Sequence, residues 1–143
     1  MKQILLDTNI LINLLNEASV HHQRAKDDIE KLMDAGHELM VCPQVLRECY
    51  KVMTTPPRAN GLGLTPEQAH LEVQNFMDAY DLTEDSNLSF SRWRFLVNTY
   101  NVSGKNAHDT HLVACMLVNE ISNILTYNPD DFNRFNSLIT IHS

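Results

Sequence analysis

Short apolar runs alternate with longer segments of helical period along this chain, and that alternation limits the folds open to it. Ile4–Leu6, Glu38–Cys42, Tyr80–Glu84, Asn123–Thr126 and Leu138–Ile141 read as strands. Between them, Thr8–Asn16 places Ile10, Leu11, Leu14 and Leu15 at helical spacing. Val20–Ala35 reads as a helix with Ser19 as N-cap, Gly36 as stop, and Ile29, Leu32 and Met33 turned inward. Pro43 can open a helix over Gln44–Met53, because a missing N–H costs nothing in a first turn. Thr65, Pro66 and Gln68 form a capping-box start for the next helix. Ser86–Tyr100 follows, with Phe90, Trp93, Leu96 and Val97 as its expected core stripe, and then Asn106–Glu120. Strands that alternate with helices imply an α/β fold, a parallel sheet with helices on both faces.

The chain has 143 residues, a length that suits one domain over 1–143. The loop 54–65, with two prolines and two glycines, reads as an insertion within it. Eleven basic residues stand against 18 acidic ones, a net charge of −7. That excludes a general nucleic-acid coat protein, which is basic. It does not exclude an enzyme that gathers carboxylates around cations, since a bound divalent ion reverses the local field. Cys42, Cys49 and Cys115 show no metal-binding spacing, and an odd count reads as reduced thiols in the cytoplasm. Cys49 and Cys115 lie among apolar residues and are expected in the core. No apolar run approaches the roughly 20 residues a membrane span needs.

In an open parallel sheet, ligand sites form beyond the carboxyl ends of the strands. Asp7 follows the first strand directly. Asn128, Asp130 and Asp131 follow the fourth, Glu48 sits within the helix after the second, and Asp109 lies near a helix start above Leu112 and Val113. These ends are placed to deliver oxygen ligands into one pocket, the donor type that Mg²⁺ and Mn²⁺ prefer. Crowded carboxylates repel unless protonated or neutralised by a metal. Such a site suits phosphoryl transfer, in which metal ions activate water and stabilise the leaving oxygen. Taken one at a time, each acid has an ordinary explanation as a cap, a dipole partner or a solvated helix residue.

Four words lift the set above that level. ILLDTNILINLL, PQVLRECYKVMT, VSGKNAHDTHLVACMLVNEI and ILTYNPDDFNRF occur in this order. They resemble the four motifs of PIN-domain proteins, in particular the VapC-like toxin ribonucleases, and the resemblance covers essentially the whole chain. It implies a three-layer α/β/α sandwich and metal-dependent endonucleolytic cleavage of RNA, leaving a 5′-phosphate and a 3′-hydroxyl. It implies Mg²⁺ or Mn²⁺ held by Asp7, Glu48 and Asp109, with Asn9 and Thr126 orienting. It also implies a homodimer and, as the toxin of a type II toxin–antitoxin pair, a small antitoxin partner. Asn128 stands where many members carry a fourth acid. An amide oxygen can bind Mg²⁺ but adds no charge, so the number of ions stays open, with Asp131 as a substitute acid. A PIN-fold RNA- or protein-binding module with little catalysis is the alternative that Asn128 favours.

Arg47, Lys51, Arg58, Lys105 and His108 fall near the expected site and are the candidate RNA contacts. His108-Asp109-x-His111 also suggests a metal phosphohydrolase of the all-helical HD type, which the strand-like segments oppose. His21-His22 reads as surface polarity.

Overall fold

The computed structural model describes residues 1–143. The chain forms β1 (Gln3–Leu6), α1 (Thr8–Leu15), α2 (His22–Asp34), β2 (Glu38–Val41), α3 (Pro43–Thr54), α4 (Pro66–Ala79) and β3 (Asp81–Leu82). Then come α5 (Asn87–Thr99), α6 (Asn106–Val118), β4 (Asn123–Leu125) and β5 (Thr140–His142). Short 3-10 turns occur at Pro57–Ala59, Pro129–Asp131 and Asn133–Phe135.

The five strands make one sheet in the order β3-β2-β1-β4-β5, and every pairing is parallel. This is the α/β/α arrangement expected from the alternation. The chain moves outward from β1 to β3, then crosses back to place β4 against the other side of β1. Right-handed crossovers therefore put α1–α4 on one face and α5–α6 on the other. The order reverses between β1 and β4, so the crevice above those two strands is the position where ligands bind in sheets of this kind.

Both faces of the central strands are covered, and the apolar runs need no alternation as a result. Ile4, Leu5 and Leu6 of β1 are each 1% exposed or less, as is Ile124 beside them in β4. Helix α6 is buried from Leu112 through Met116, while α5 buries only Ser89 and Leu96. All three cysteines are free and buried.

Three local expectations differ from the structure. Ser19 is not the N-cap of α2, which starts at His22. Its hydroxyl instead accepts from the His21 N–H (3.1 Å) and donates to Asn13 Oδ1, a turn that precedes the helix. Met33 is 53% exposed, because the buried stripe of α2 runs through Ala25, Ile29 and the half-buried Leu32. Phe90 is 53% exposed as well. Ser89 takes the inward position in α5, where its side chain accepts from the Ser86 N–H and donates to Asp85. The stripe then continues through Trp93 and Leu96, and Phe90 is rotated about 100° away from it. The loop after α3 folds back on that helix. Leu62 and Leu64 donate to the carbonyls of Val52 and Met53, and Gly61 passes so close to the Thr55 carbonyl that no Cβ fits there.

Candidate functional site

Asp7 is the first residue beyond β1 and also the N-cap of α1, so the strand end and the helix start fix it together. It is only 7% exposed. Its Oδ1 accepts from the Thr8 N–H (2.8 Å), and its Oδ2 accepts from the Thr126 hydroxyl (2.8 Å) and the Asn9 amide (3.1 Å). Thr126 follows β4 and is fully buried. Its oxygen also accepts from Asn9 Nδ2 (3.2 Å) and from the Asn128 N–H (3.0 Å), which satisfies it completely. Asn9 Oδ1 in turn accepts from the Tyr127 N–H (3.0 Å). One asparagine thus ties the ends of the two central strands together around a single carboxylate.

Glu48 approaches from α3. Its Oε2 accepts from the Thr8 hydroxyl and its Oε1 from Gln44 Nε2, both at 2.8 Å. Gln44, 7% exposed, also donates to the His108 carbonyl (3.0 Å), which links α3 to the first turn of α6. That turn carries Asp109, whose carboxylate has no hydrogen-bond partner in the protein. The Asn106 side-chain oxygen, one turn earlier, is buried and lacks a donor.

The acids share one electrostatic field. Burial pushes the Asp109 carboxyl up to about 6, with Asp131, Asp7 and Glu48 adding to the shift and Lys105 opposing it. Burial likewise raises Asp7 above the usual carboxylate range, aided by Glu48 and Asp131, while the bonds from Thr126 and Thr8 pull it back. Asp131 therefore belongs to the cluster, brought there by the Pro129–Asp131 turn. Asn128 is exposed, and only its backbone is tied to the cluster, through Thr126.

No three of these side chains stand close enough to form a ready chelating group. The donor set nevertheless fits a hard divalent cation that keeps several waters, as Mg²⁺ does. It consists of carboxylate oxygens, and it carries mutual repulsion that a positive charge relieves.

Beside the acids lies an open groove of about 1020 Å³, to which Glu48 and Thr8 contribute. Arg47, Lys51 and His108 line it, so three of the candidate RNA contacts face this space. Lys105 sits near Asp109 instead, and Arg58 is exposed on the turn whose neighbours Ala59 and Asn60 reach the groove. His111 also lines the groove, and its Nε2 meets the Asp85 carboxylate at 3.0 Å. His21 is exposed, and its ring lies 5.9 Å from that of Tyr127.

Thr8, Gln44 and Asn106 escape sequence reasoning. Gln44 alone left a readable signal, since it precedes Glu48 by four residues and so shares its helix face. The Thr8 contact arises between elements and leaves no local pattern, and the Asn106 oxygen has no partner at all.

No curated protein matches the sequence. Solved structures match in fold over nearly the full length. The VapBC2 complex from Rickettsia felis, bound to a DNA fragment from its promoter, aligns at TM-score 0.71 and 16% identity over 99% of this chain and 98% of that one. VapBC-1 from nontypeable Haemophilus influenzae gives 0.72 and 16% over 99% and 97%. VapC20 of Mycobacterium tuberculosis, described as a Sarcin-Ricin loop cleaving toxin, gives 0.63 and 18% over 91% and 93%. The family model for the PIN domain matches residues 4–138. With that match spanning every element from β1 to the turn before β5, the chain belongs to the PIN-domain family.

Proposed function

We propose that this protein is a Mg²⁺- or Mn²⁺-dependent endoribonuclease, a single PIN domain over residues 1–143 that serves as the toxin of a toxin–antitoxin pair. The observation that carries the reading is the convergence of Asp7, Glu48, Asp109 and Asp131 on one field at the β1/β4 crevice. The solved structures of similar fold include VapBC pairs and a toxin described as cleaving the Sarcin-Ricin loop, which supports both an antitoxin partner and a nucleic-acid substrate. The protein works in the cytoplasm as a homodimer; no helix is long and apolar enough to cross a membrane.

Asp7, Glu48 and Asp109 would hold the metal, with Asp131 adding charge; Asn128, exposed and tied to the cluster through its backbone, would offer a neutral oxygen at its rim. The bound ion supplies activation of water and charge stabilisation at the scissile phosphate. The chain's own part is orientation. Asn9 and Thr126 hold Oδ2 of Asp7, and the Thr8 N–H holds Oδ1, so the carboxylate is fixed in one orientation. Thr8 and Gln44 hold Glu48 in the same manner. Asp109, with no fixed partner, releases its proton near pH 6 or when a cation arrives.

The test is cleavage of RNA by the purified, antitoxin-free protein with Mn²⁺, with Mg²⁺ and with EDTA, alongside Asp7→Asn. Metal-dependent cleavage that disappears in EDTA and in the variant is expected. No cleavage with either metal, or an Asp7→Asn variant as active as wild type, overturns the reading. RNA binding without cleavage selects the binding-module alternative, which the absence of a ready chelating group and of an acid at Asn128 favours.

A further inference from the structure

The groove beside Glu48 has two unlike walls. On the α3 side, Arg47 and Lys51 are exposed and four residues apart, so both project from one helix face. On the α5 side, Phe90 lies against Trp93, with ring centroids 5.7 Å apart and planes 24° from parallel. That spacing is within the range of an offset aromatic stack. Trp93 is half-buried, and its indole N–H donates to the Ala107 carbonyl at 2.8 Å. The indole is therefore fixed on the same helical turn that presents Asp109, and Phe90 rests on it with its outer face open.

An exposed phenylalanine held on a clamped tryptophan is not explained by core packing, since Ser89 occupies the inward position of that turn. The groove is of mixed character: Arg47 and Lys51 line it in a chain of net charge −7, beside the carboxylates of Glu48 and Asp85, the latter paired with His111. Aromatic faces supply sequence-tolerant stacking for unpaired bases, and Arg and Lys track the phosphates. Because Glu48 and Thr8 belong both to this groove and to the acidic cluster, a nucleotide seated in it is continuous with one at the acids.

We infer that Phe90 and Trp93 form a nucleobase-stacking subsite, which receives an unstacked nucleotide adjacent to the scissile phosphate while Arg47 and Lys51 contact the backbone. This rests on the ribonuclease reading for its position beside the scissile bond, but stacking is measured without cleavage.

Trp93 is the chain's one tryptophan, so its fluorescence reports on the subsite directly. Short single-stranded oligoribonucleotides are titrated into the metal-free protein in EDTA. Saturable quenching is expected, and an abasic oligonucleotide of the same length should bind without quenching. Phe90→Leu, which keeps bulk but removes the π face, should weaken oligonucleotide binding about tenfold, and Phe90→Tyr should restore it. Circular dichroism confirms folding; Phe90 is 53% exposed, so either change leaves the core intact. The proposal is overturned if bases do not quench Trp93, if the abasic strand quenches equally, or if Phe90→Leu binds like wild type. Quenching without cleavage in Mn²⁺ sinks the nuclease reading and leaves the subsite standing. Cleavage by wild type with no quenching does the reverse.

Discussion

The acidic corner and the groove beside it are neighbours built on opposite plans. In the corner, the carboxylates of Asp7 and Glu48 are each held by donors from at least two residues, and Thr126 is fully buried. In the groove, Arg47, Lys51 and Phe90 are exposed, and the fixed elements are the Trp93–Ala107 bond and the His111–Asp85 pair. Chemistry needs groups held within a fraction of an ångström, and recognition of a flexible chain tolerates adjustable contacts. The corner therefore concentrates hydrogen bonds and charge strain, and the groove concentrates accessible surface.

The largest effect that separates the two regions is expected from Asp7→Asn. Removing one charged ligand should lower cleavage by about 10³-fold, several kcal/mol of transition-state stabilisation, while RNA binding in the groove changes little. Measured kcat against Kd for the same RNA checks it, and a parallel loss of both would erase the distinction between the regions. Next, Thr126→Val keeps the shape but removes the hydroxyl between Asp7, Asn9 and Asn128. Losses of about 10- to 100-fold in metal affinity or activity are usual for such orienting groups. A Mn²⁺ titration of activity reads this, and an unchanged midpoint and rate would mean that Asp7 needs no support.

The third effect is on stability. An unfolded aspartate titrates near 3.8, whereas the folded Asp109 keeps its proton up to about 6, and Asp7 is shifted the same way. The stabilisation is therefore fully present below the unfolded value and is lost as the pH rises through the folded one. Asp109 is half-buried, so solvent screening reduces its share to about 1–2 kcal/mol. Urea unfolding in EDTA should give a higher midpoint at pH 5 than at pH 7.5, and Mg²⁺ should remove most of the difference. A metal-free protein more stable at pH 7.5 would contradict the crowded-acid description. The smallest effect belongs to the groove. Lys51→Ala should weaken RNA binding a few-fold at low salt and make the log–log salt dependence shallower by about one unit, with the cleavage rate of bound RNA unaffected.

The two regions were also unequally legible in the sequence. The acids of the corner follow strand ends and a helix start, which a local pattern reveals: Asp7 after ILL, and Asp109 above Leu112 and Val113. Phe90 of the groove reads as core, because it is apolar and at helical spacing with Leu96 and Val97. The inward position on that turn of α5 is taken by Ser89, whose hydroxyl is bonded to Ser86 and Asp85. Met33 reads as inward beside Leu32, but the buried stripe of α2 runs through Ala25, Ile29 and Leu32 and leaves Met33 on the open side.

By itself, the sequence determined the alternation of strands and helices, the parallel sheet, and the residues that end up above its central crevice. These follow from local periodicity and chain connectivity, which short windows carry. The tertiary structure alone decided that Asn9 spans from β1 to Tyr127 and Thr126, that Thr8 and Gln44 fix Glu48, and that Phe90 opens onto the groove. Those facts depend on pairs up to 118 residues apart, whose distances are set by the packing of whole elements and leave no periodic trace along the chain.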